Sequence, residues 1–245
     1  MSILLVLGVV LLGFLMKLAA LFIPNNSQQT RWLFLLSPLP SPNSIGRVRS
    51  AALAPHLRRA LLFGVIVALY YWSYWQVVCR FEPKGIVLSY LAAPALWLLG
   101  EVVSAVVPLL ANGRIPPVLH NPPLARSVTD FWGRRWNLWF SDWFRYTIFQ
   151  PLRRKPILAL ILIFFVSGIM HELVVNVSLF FVTGRVLFGS MMLYFLLQPI
   201  GILVERWFTR SNSPGKILFT WLVVLGPAPL ILNEGLLRAL HLWPG

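Results

Sequence analysis

Six long apolar runs, separated by polar stretches, set the pattern of this 245-residue chain. Most of them approach or exceed the roughly 20 residues that an α-helix needs to cross the hydrocarbon core of a bilayer. The pattern predicts an all-α integral membrane protein with about six transmembrane helices, over residues 3–23, 60–78, 86–110, 157–181, 186–204 and 217–232. We expect the first run to be a retained helix, since it is too long and too weakly basic at its start for a typical cleaved signal. The whole chain, 1–245, is predicted to form a single polytopic membrane domain.

Basic residues alternate between the connections and so predict an orientation. Sixteen Lys and Arg lie in the odd-numbered connections, against four in the even-numbered ones and the C-terminal tail. Because cytoplasmic loops are enriched in Lys and Arg, this places both termini on the non-cytoplasmic side. The formal charge of +14 therefore indicates membrane orientation and contact with anionic lipids, and we expect no nucleic-acid partner. The odd-numbered connections carry Arg31, Arg47, Arg49, Arg58, Arg59, Arg114, Arg126, Arg134, Arg135, Arg145, Arg153, Arg154, Lys155, Arg206, Arg210 and Lys216.

The third connection, residues 111–156, is too long for a tight turn and too aromatic for a disordered loop, so it should be structured. Its residues 127–150 predict an amphipathic segment, interfacial or re-entrant, whose opening Ser/Thr/Asp cluster can cap a helix N-terminus. At continuous helical spacing, one face carries aromatic side chains and the other polar ones. A helix lying on lipid headgroups explains the arginines of the polar face but not its neutral Asn137. The two faces are Trp132, Trp136, Trp139, Phe140 and Trp143, and Arg134, Asn137, Ser141 and Arg145.

A His-Glu pair lies in the middle of the fourth apolar run. His171 falls about fifteen residues, or roughly 22 Å, into this helix, where an ionisable group should face protein or a water-filled path. It shares a face with Ser167, Gly168 and Ser178. Two interpretations remain open: a functional imidazole beside a cavity, or a helix-packing histidine bonded to a nearby carbonyl.

Other chemistries find little support. A second histidine four residues after His171 would indicate a zinc site, but Val175 stands there, and Cys79 is the only cysteine. The chain has no Walker loop, dinucleotide fingerprint or Gly-x-Ser-x-Gly elbow, so we expect no metal and no resident cofactor. Glu101 either pairs with an arginine of another helix or lines a cavity, whereas Glu234 and Arg238 have the spacing of an i,i+4 ion pair.

Taken together, the string Ser-Val-Thr-Asp-Phe-Trp-Gly-Arg-Arg-Trp-Asn, the basic Pro-Leu-Arg-Arg segment and Ser-Gly-Ile-Met-His-Glu-Leu resemble the wax-synthase-like branch of the membrane-bound O-acyltransferase family. The resemblance covers residues 121–175. The family's two functional positions, an Asn after the Phe-Trp motif and a His inside a helix, fall on Asn137 and His171. The resemblance implies acyl transfer from acyl-coenzyme A to the hydroxyl of a lipophilic alcohol, giving an ester and free coenzyme A. His171 would act as general base, and Asn137 as oxyanion donor or as the group that orients the imidazole.

The resemblance also suggests residues that contact the substrates. The aromatic side chains would line the acyl path, and the arginines, together with residues 153–155, would bind the phosphates of the donor. The predicted substrate-binding residues are Trp132, Arg134, Arg135, Trp136, Ser167 and Glu172. A transporter or a non-catalytic membrane scaffold is the alternative. The membrane would be the bacterial inner membrane or the endoplasmic reticulum.

Overall fold

A computed structural model of the chain describes residues 2–21, 53–110, 115–208 and 214–244. These residues form helices and connecting turns, and no strand occurs among them, which confirms the all-α fold class. The α-helices, in chain order, are α1 (Ser2–Leu21), α2 (Leu53–Phe81), α3 (Ile86–Leu110), α4 (Val128–Asp130), α5 (Leu138–Phe144), α6 (Pro156–Thr183), α7 (Ser190–Glu205), α8 (Pro214–Leu225), α9 (Ala228–Ile231) and α10 (Glu234–Ala239). Two π-helical turns, π1 (Phe131–Arg135) and π2 (Arg145–Phe149), follow α4 and α5, and short 3-10 turns occur at Pro122–Leu124 and Arg206–Phe208.

Each of the six predicted apolar runs contains a helix. Within the described ranges, α2, α3, α6 and the stretch Pro214–Ile231 are long and apolar enough to cross a membrane, and the apolar parts of α1 and α7 are shorter. The chain is therefore an integral, multi-pass membrane protein. The last predicted run, 217–232, is divided because α8 ends at Leu225 and Pro227 precedes α9. Five arginines of the orientation count lie outside the described residues: Arg31, Arg47, Arg49, Arg114 and Arg210.

The two central helices, α6 and α7, pack closely because a small residue faces their contact. A Cβ atom added to Gly168 would lie 2.8 Å from the sulfur of Met192 and 3.3 Å from its Cα atom. Ser167 and Ser178, on the same face of α6, are buried. The small, polar stripe predicted around His171 is thus the packing face of α6.

Helices α2 and α3 form a second pair, joined by a buried ion pair near one end. The Arg59 Nε–H donates to Glu101 Oε2 at 3.0 Å, and the Trp97 Nε1–H donates to Glu101 Oε1 at 3.0 Å. Glu101 is buried, so its partners compensate the cost of removing a carboxylate from water. Of the two interpretations left open for Glu101, the structure supports pairing with an arginine of a neighbouring helix.

The C-terminal segment packs against the α2–α3 pair. Leu232, Leu237 and Leu242 are buried in one apolar cluster with Tyr74 and Val78 of α2. The predicted ion pair is confirmed, because Arg238 Nε lies 2.7 Å from Glu234 Oε1 within α10.

Candidate functional site

The motif segment, residues 127–149, begins with a double cap. The Ser127 side chain accepts a hydrogen bond from the Asp130 backbone N–H at 2.8 Å, as predicted for this position. Glu205, at the end of α7, accepts from the backbone N–H groups of Val128 at 2.9 Å and Thr129 at 3.5 Å. These donors have no partner within their own helical turn, so a carboxylate from another helix satisfies them.

The helical spacing that assigned two faces to this segment does not continue through it. The helical turns of α4 and π1 stop at Arg135, Trp136 is extended (φ −101°, ψ 129°), and Asn137 is left-handed (φ 44°, ψ 60°) before α5 begins. Asn tolerates the left-handed region better than most residues because its short polar side chain bonds locally. Asn137 therefore lies at a sharp break between two helical pieces, and the spacing argument that placed it on a helix face fails there.

The break at Asn137 is held by an extended stretch of backbone that precedes the segment. The His120 N–H donates to the Arg135 carbonyl at 2.9 Å, and the Leu138 N–H donates to the Val118 carbonyl at 2.8 Å. Residue 119, between these two, is fixed to α3, since the Leu119 N–H donates to the Ser104 hydroxyl at 2.8 Å. The Ser141 hydroxyl, after the break, donates to the carbonyl of Trp132, before the break, at 2.6 Å and so joins the two helical pieces.

The tryptophans predicted to share one face contact different parts of the protein. Trp132 Nε1–H donates to Gln198 on α7 at 3.0 Å, Trp139 to the Pro116 carbonyl at 2.9 Å, and Trp143 to the Met16 carbonyl of α1 at 3.0 Å. Trp136 stacks on the Phe131 ring, with centroids 5.4 Å apart. Three of the four indoles thus donate to protein acceptors rather than to lipid headgroups.

His171 is oriented by its own helix. Its Nδ1 lies 2.7 Å from the Ser167 carbonyl oxygen, and because a carbonyl only accepts, Nδ1 must carry the proton. This bond fixes the tautomer and leaves Nε2 as the basic nitrogen. The ring lies against Phe195 of α7, with centroids 4.4 Å apart. The expectation that His171 faces protein is confirmed.

An aromatic cluster on α7 joins the two motifs. Phe195 contacts His171 on one side, and its ring centroid lies 6.0 Å from that of Trp132 on the other. Gln198, one turn further along, accepts from Trp132 and donates its amide to the Tyr194 carbonyl at 3.3 Å and the Val223 carbonyl at 3.1 Å. No hydrogen bond joins Asn137 to His171, both of which are among the described residues, so the two motifs meet through this cluster.

Glu172 secures the turn between α6 and α7. Its Oε1 accepts from the backbone N–H groups of Gly189 at 2.8 Å and Met192 at 3.0 Å, and its Oε2 accepts from the Asn176 amide at 2.6 Å. The carboxylate thus caps the start of α7. Ser167 is buried and presents its carbonyl to His171. That either side chain also contacts a substrate stays a prediction.

The predicted phosphate-binding arginines differ in their surroundings. Arg135 forms an ion pair with Asp130, at 2.6 Å from Nε to Oδ2, and donates to the Asn121 carbonyl at 3.1 Å. Arg134 is exposed on π1, and residues 153–155 are exposed in the turn before α6. Arg135 therefore stabilises the motif segment, while the exposed cations are accessible to an anion.

Sequence reasoning missed Gln198 and Glu205 as parts of this site. Both are polar and buried: Gln198 lies inside an apolar run and is fully inaccessible, and Glu205 follows the end of the same run. Polar groups in such positions are costly unless they are bonded, which is the signal that could have drawn attention to them. In the described part of the chain, no three His, Cys, Asp or Glu side chains are grouped so that they could hold a metal ion.

The site thus combines a half-buried imidazole whose Nε2 is basic, an asparagine at a left-handed break in the motif segment, and exposed cations just before α6. Residues 115–197 match the model of the membrane bound O-acyl transferase family. This match includes the motif segment and His171, and it agrees with the resemblance read from the motifs.

Three curated relatives show which proteins the chain is similar to. It is 28% identical, over 207 residues, to probable long-chain-alcohol O-fatty-acyltransferase 9 of Arabidopsis thaliana, covering 74% of this chain and 58% of the relative. It is 35% identical to acyl-CoA–sterol O-acyltransferase 1 of the same plant, covering 47% of this chain and 35% of the relative. It is 35% identical to the long-chain-alcohol O-fatty-acyltransferase of Simmondsia chinensis, covering 41% and 30%. The chain thus spans well under two thirds of the length of each.

Proposed function

We propose that this protein transfers an acyl group from acyl-coenzyme A to the hydroxyl of a lipophilic alcohol, producing an ester and free coenzyme A. The observation that carries the proposal is the bond from His171 Nδ1–H to the Ser167 carbonyl, which leaves Nε2 basic at the centre of a spanning helix. The names of the relatives, which include long-chain-alcohol and sterol acyltransferases, support the reaction class.

His171 Nε2 is proposed to remove the alcohol proton as the alcohol oxygen attacks the thioester carbonyl carbon. The carbon–oxygen bond of the ester forms, the carbon–sulfur bond breaks, and the proton passes from the imidazolium to the departing thiolate. An alcohol is a poor nucleophile at neutral pH, so the base supplies what the acceptor lacks.

Asn137 is proposed to donate a hydrogen bond to the oxyanion that develops on the thioester carbonyl. The alternative role, orienting the imidazole, has less support, because the Ser167 carbonyl already fixes the ring. The left-handed backbone at Asn137 is held by the bond from the Leu138 N–H to the Val118 carbonyl and by the bond from the Ser141 N–H to the Asn137 carbonyl, so the fold fixes the position of this residue before substrate arrives.

The donor's phosphates are proposed to bind Arg134, which is exposed on π1, and residues 153–155, which are exposed just before α6 begins. Trp132, Phe164, Tyr194 and Phe195 form the aromatic surface proposed to contact the acyl chain. Trp136 stacks on Phe131, and the Phe131 ring contacts Trp132 edge-on, so Trp136 supports this aromatic surface through Phe131. The endoplasmic reticulum is the proposed membrane, since the relatives above are plant proteins.

The test is ester formation by membranes that contain the protein, supplied with labelled acyl-coenzyme A of several lengths and a panel of long-chain alcohols and sterols. We expect His171→Ala to lower the rate by about 100-fold or more, the usual contribution of a general base. Ser178→Ala is the matched control, because it removes a buried hydroxyl from the same face of α6 and keeps the carbonyl that orients His171. Rates that fall equally in both variants would assign the effect to packing of α6, and full activity in His171→Ala would refute the proposed base.

A further inference from the structure

A cavity lies at the opposite end of α6 from the motif segment. It has a volume of about 270 Å³ and is lined by Trp75, Val182, Arg238, His241 and Trp243. Val182 lies eleven residues after His171, or roughly 16 Å along the helix axis. We call it the C-terminal cavity, and nothing proposed above for acyl transfer uses it.

The cavity combines cationic and aromatic side chains near the ends of spanning helices. Arg238 lies over the Trp243 ring, 5.5 Å from its centroid, and uses its Nε for Glu234. Arg238 also lines the cavity, and a guanidinium has the fork geometry that suits phosphate oxygens. Indole rings such as Trp75 are enriched at the depth where lipid headgroups meet the hydrocarbon region.

The backbone at His241 is held in an unfavourable conformation. His241 has a φ of 56°, in the left-handed region that favours glycine. It follows α10 at the position where the Leu242 N–H turns back to the Leu237 carbonyl, at 2.8 Å. A non-glycine residue there costs stability, so a side chain at this position is a candidate for function.

Two tyrosines of α2 fix the backbone on either side of His241. The Tyr71 hydroxyl donates to the Leu240 carbonyl at 3.0 Å, and the Tyr74 hydroxyl donates to the Leu242 carbonyl. The turn is therefore determined by its neighbours, and the imidazole is presented to the cavity beside Arg238.

We propose that the C-terminal cavity binds the phosphate headgroup of an anionic membrane phospholipid. Arg238 and His241 would donate to the phosphate oxygens, and the indoles would contact the glycerol part. The volume of about 270 Å³ has room for a phosphate with part of its glycerol. Basic pockets between membrane helices recognise lipid headgroups in this way. The site is independent of the proposed acyl transfer, because it lies at the other end of α6.

The test is thermal unfolding of the purified full chain in detergent with added phosphatidylglycerol, phosphatidylcholine or inorganic phosphate, together with native mass spectrometry of retained lipid. We expect phosphatidylglycerol to raise the Tm most. Arg238→Gln and His241→Gly should each lower the apparent affinity for phosphatidylglycerol about tenfold, because each variant loses one charge-assisted hydrogen bond. Arg185→Gln is the matched control, since it removes an exposed charge just beyond α6 and outside the cavity lining.

His241→Gly separates binding from folding, because glycine suits the left-handed backbone. Its Tm without lipid should equal or exceed that of the natural chain, while its response to phosphatidylglycerol falls. A lower Tm without lipid would assign His241 a structural role and overturn the proposal. Equal stabilisation by inorganic phosphate alone, or an unchanged lipid response in both variants, would overturn it as well.

Discussion

Helix α6 and the motif segment hold their functional side chains in opposite ways. In α6, three polar side chains bond to carbonyls one turn earlier in the same helix, His171 to Ser167, Ser178 to Val174 and Thr183 to Leu179, while Glu172 caps the start of α7. In the motif segment, the bonds reach other elements instead, among them residue 118, α1 and α7. The imidazole is thus positioned by helix geometry, whereas Asn137 depends on the assembled fold.

The sharpest test of this difference is Asn137→Gly compared with Asn137→Ala. Glycine keeps the left-handed backbone and removes the amide, so we expect ester formation to fall by about 100- to 1,000-fold with an unchanged Tm. Alanine should lose the same activity and also about 1 kcal/mol of stability, because its Cβ is strained at this φ. Normal activity in Asn137→Gly would show that the backbone break, and not the amide, is what the site requires.

The long-range cap on the motif segment predicts the next largest effect. Glu205→Ala leaves the N–H groups of Val128 and Thr129 without their acceptor, which should lower the free energy of unfolding by about 2–3 kcal/mol. Glu234→Ala removes a partly exposed i,i+4 ion pair, at 2.7 Å, and should cost no more than about 0.5 kcal/mol. Chemical or thermal unfolding in detergent measures both, and similar losses would mean that the interhelix cap contributes little.

Substitutions at two glycines, one in α6 and one in the motif segment, test how closely each region is packed. Gly168→Ala should destabilise the protein by about 1–3 kcal/mol, because its Cβ would lie 3.3 Å from the Met192 Cα atom. Gly133→Ala, in π1, has no atom within 4 Å of the added Cβ and should change stability by less than about 0.5 kcal/mol. The two melting temperatures decide the matter, and a larger loss at Gly133 would contradict the described geometry of π1.

The smallest effect is expected at the adjacent arginines of π1. Arg134→Gln removes an exposed cation and should raise the KM for acyl-coenzyme A by at most about fivefold, with kcat unchanged. Arg135→Gln breaks the ion pair with Asp130 and should act on stability rather than on KM. Steady-state kinetics at varied donor concentration, with Tm values alongside, distinguish the two. If Arg135 controls KM instead, it binds the donor as the motif predicted.

The features that could be predicted from the sequence are those held by local bonds, as in α6, and not those held by bonds to other elements, as in the motif segment. The apolar runs, the cap at Ser127 and the i,i+4 pair of Glu234 with Arg238 are set by neighbours along the chain, and their positions were predicted correctly. His171 could be placed in a helix and facing protein for the same reason. Helical periodicity is a local rule, and it holds wherever the hydrogen bonds are local.

The break at Asn137 could not be predicted, because it depends on backbone bonds to residues 118 and 120 that no spacing reveals. Gly133 and Asn137, both poor helix formers, were the available warning. The roles of Gln198 and Glu205 and the partner of Glu101 also required the packed structure, since each depends on which helices become neighbours. The sequence carried the residues of the site but not the contacts that assemble them.

Helix α7 has a further consequence through its length. Its 16 residues, Ser190–Glu205, rise only about 24 Å, against a hydrocarbon thickness of about 30 Å. A spanning helix that is too short is accommodated by thinning of the surrounding bilayer or by recessed ends. Glu172 caps one end of α7 and Glu205 binds the motif segment at the other, so both ends are fixed to protein. Thinning of the bilayer around α7 would therefore bring the membrane surface closer to Phe195 and His171. A water-soluble donor would then cross a shorter distance to reach His171.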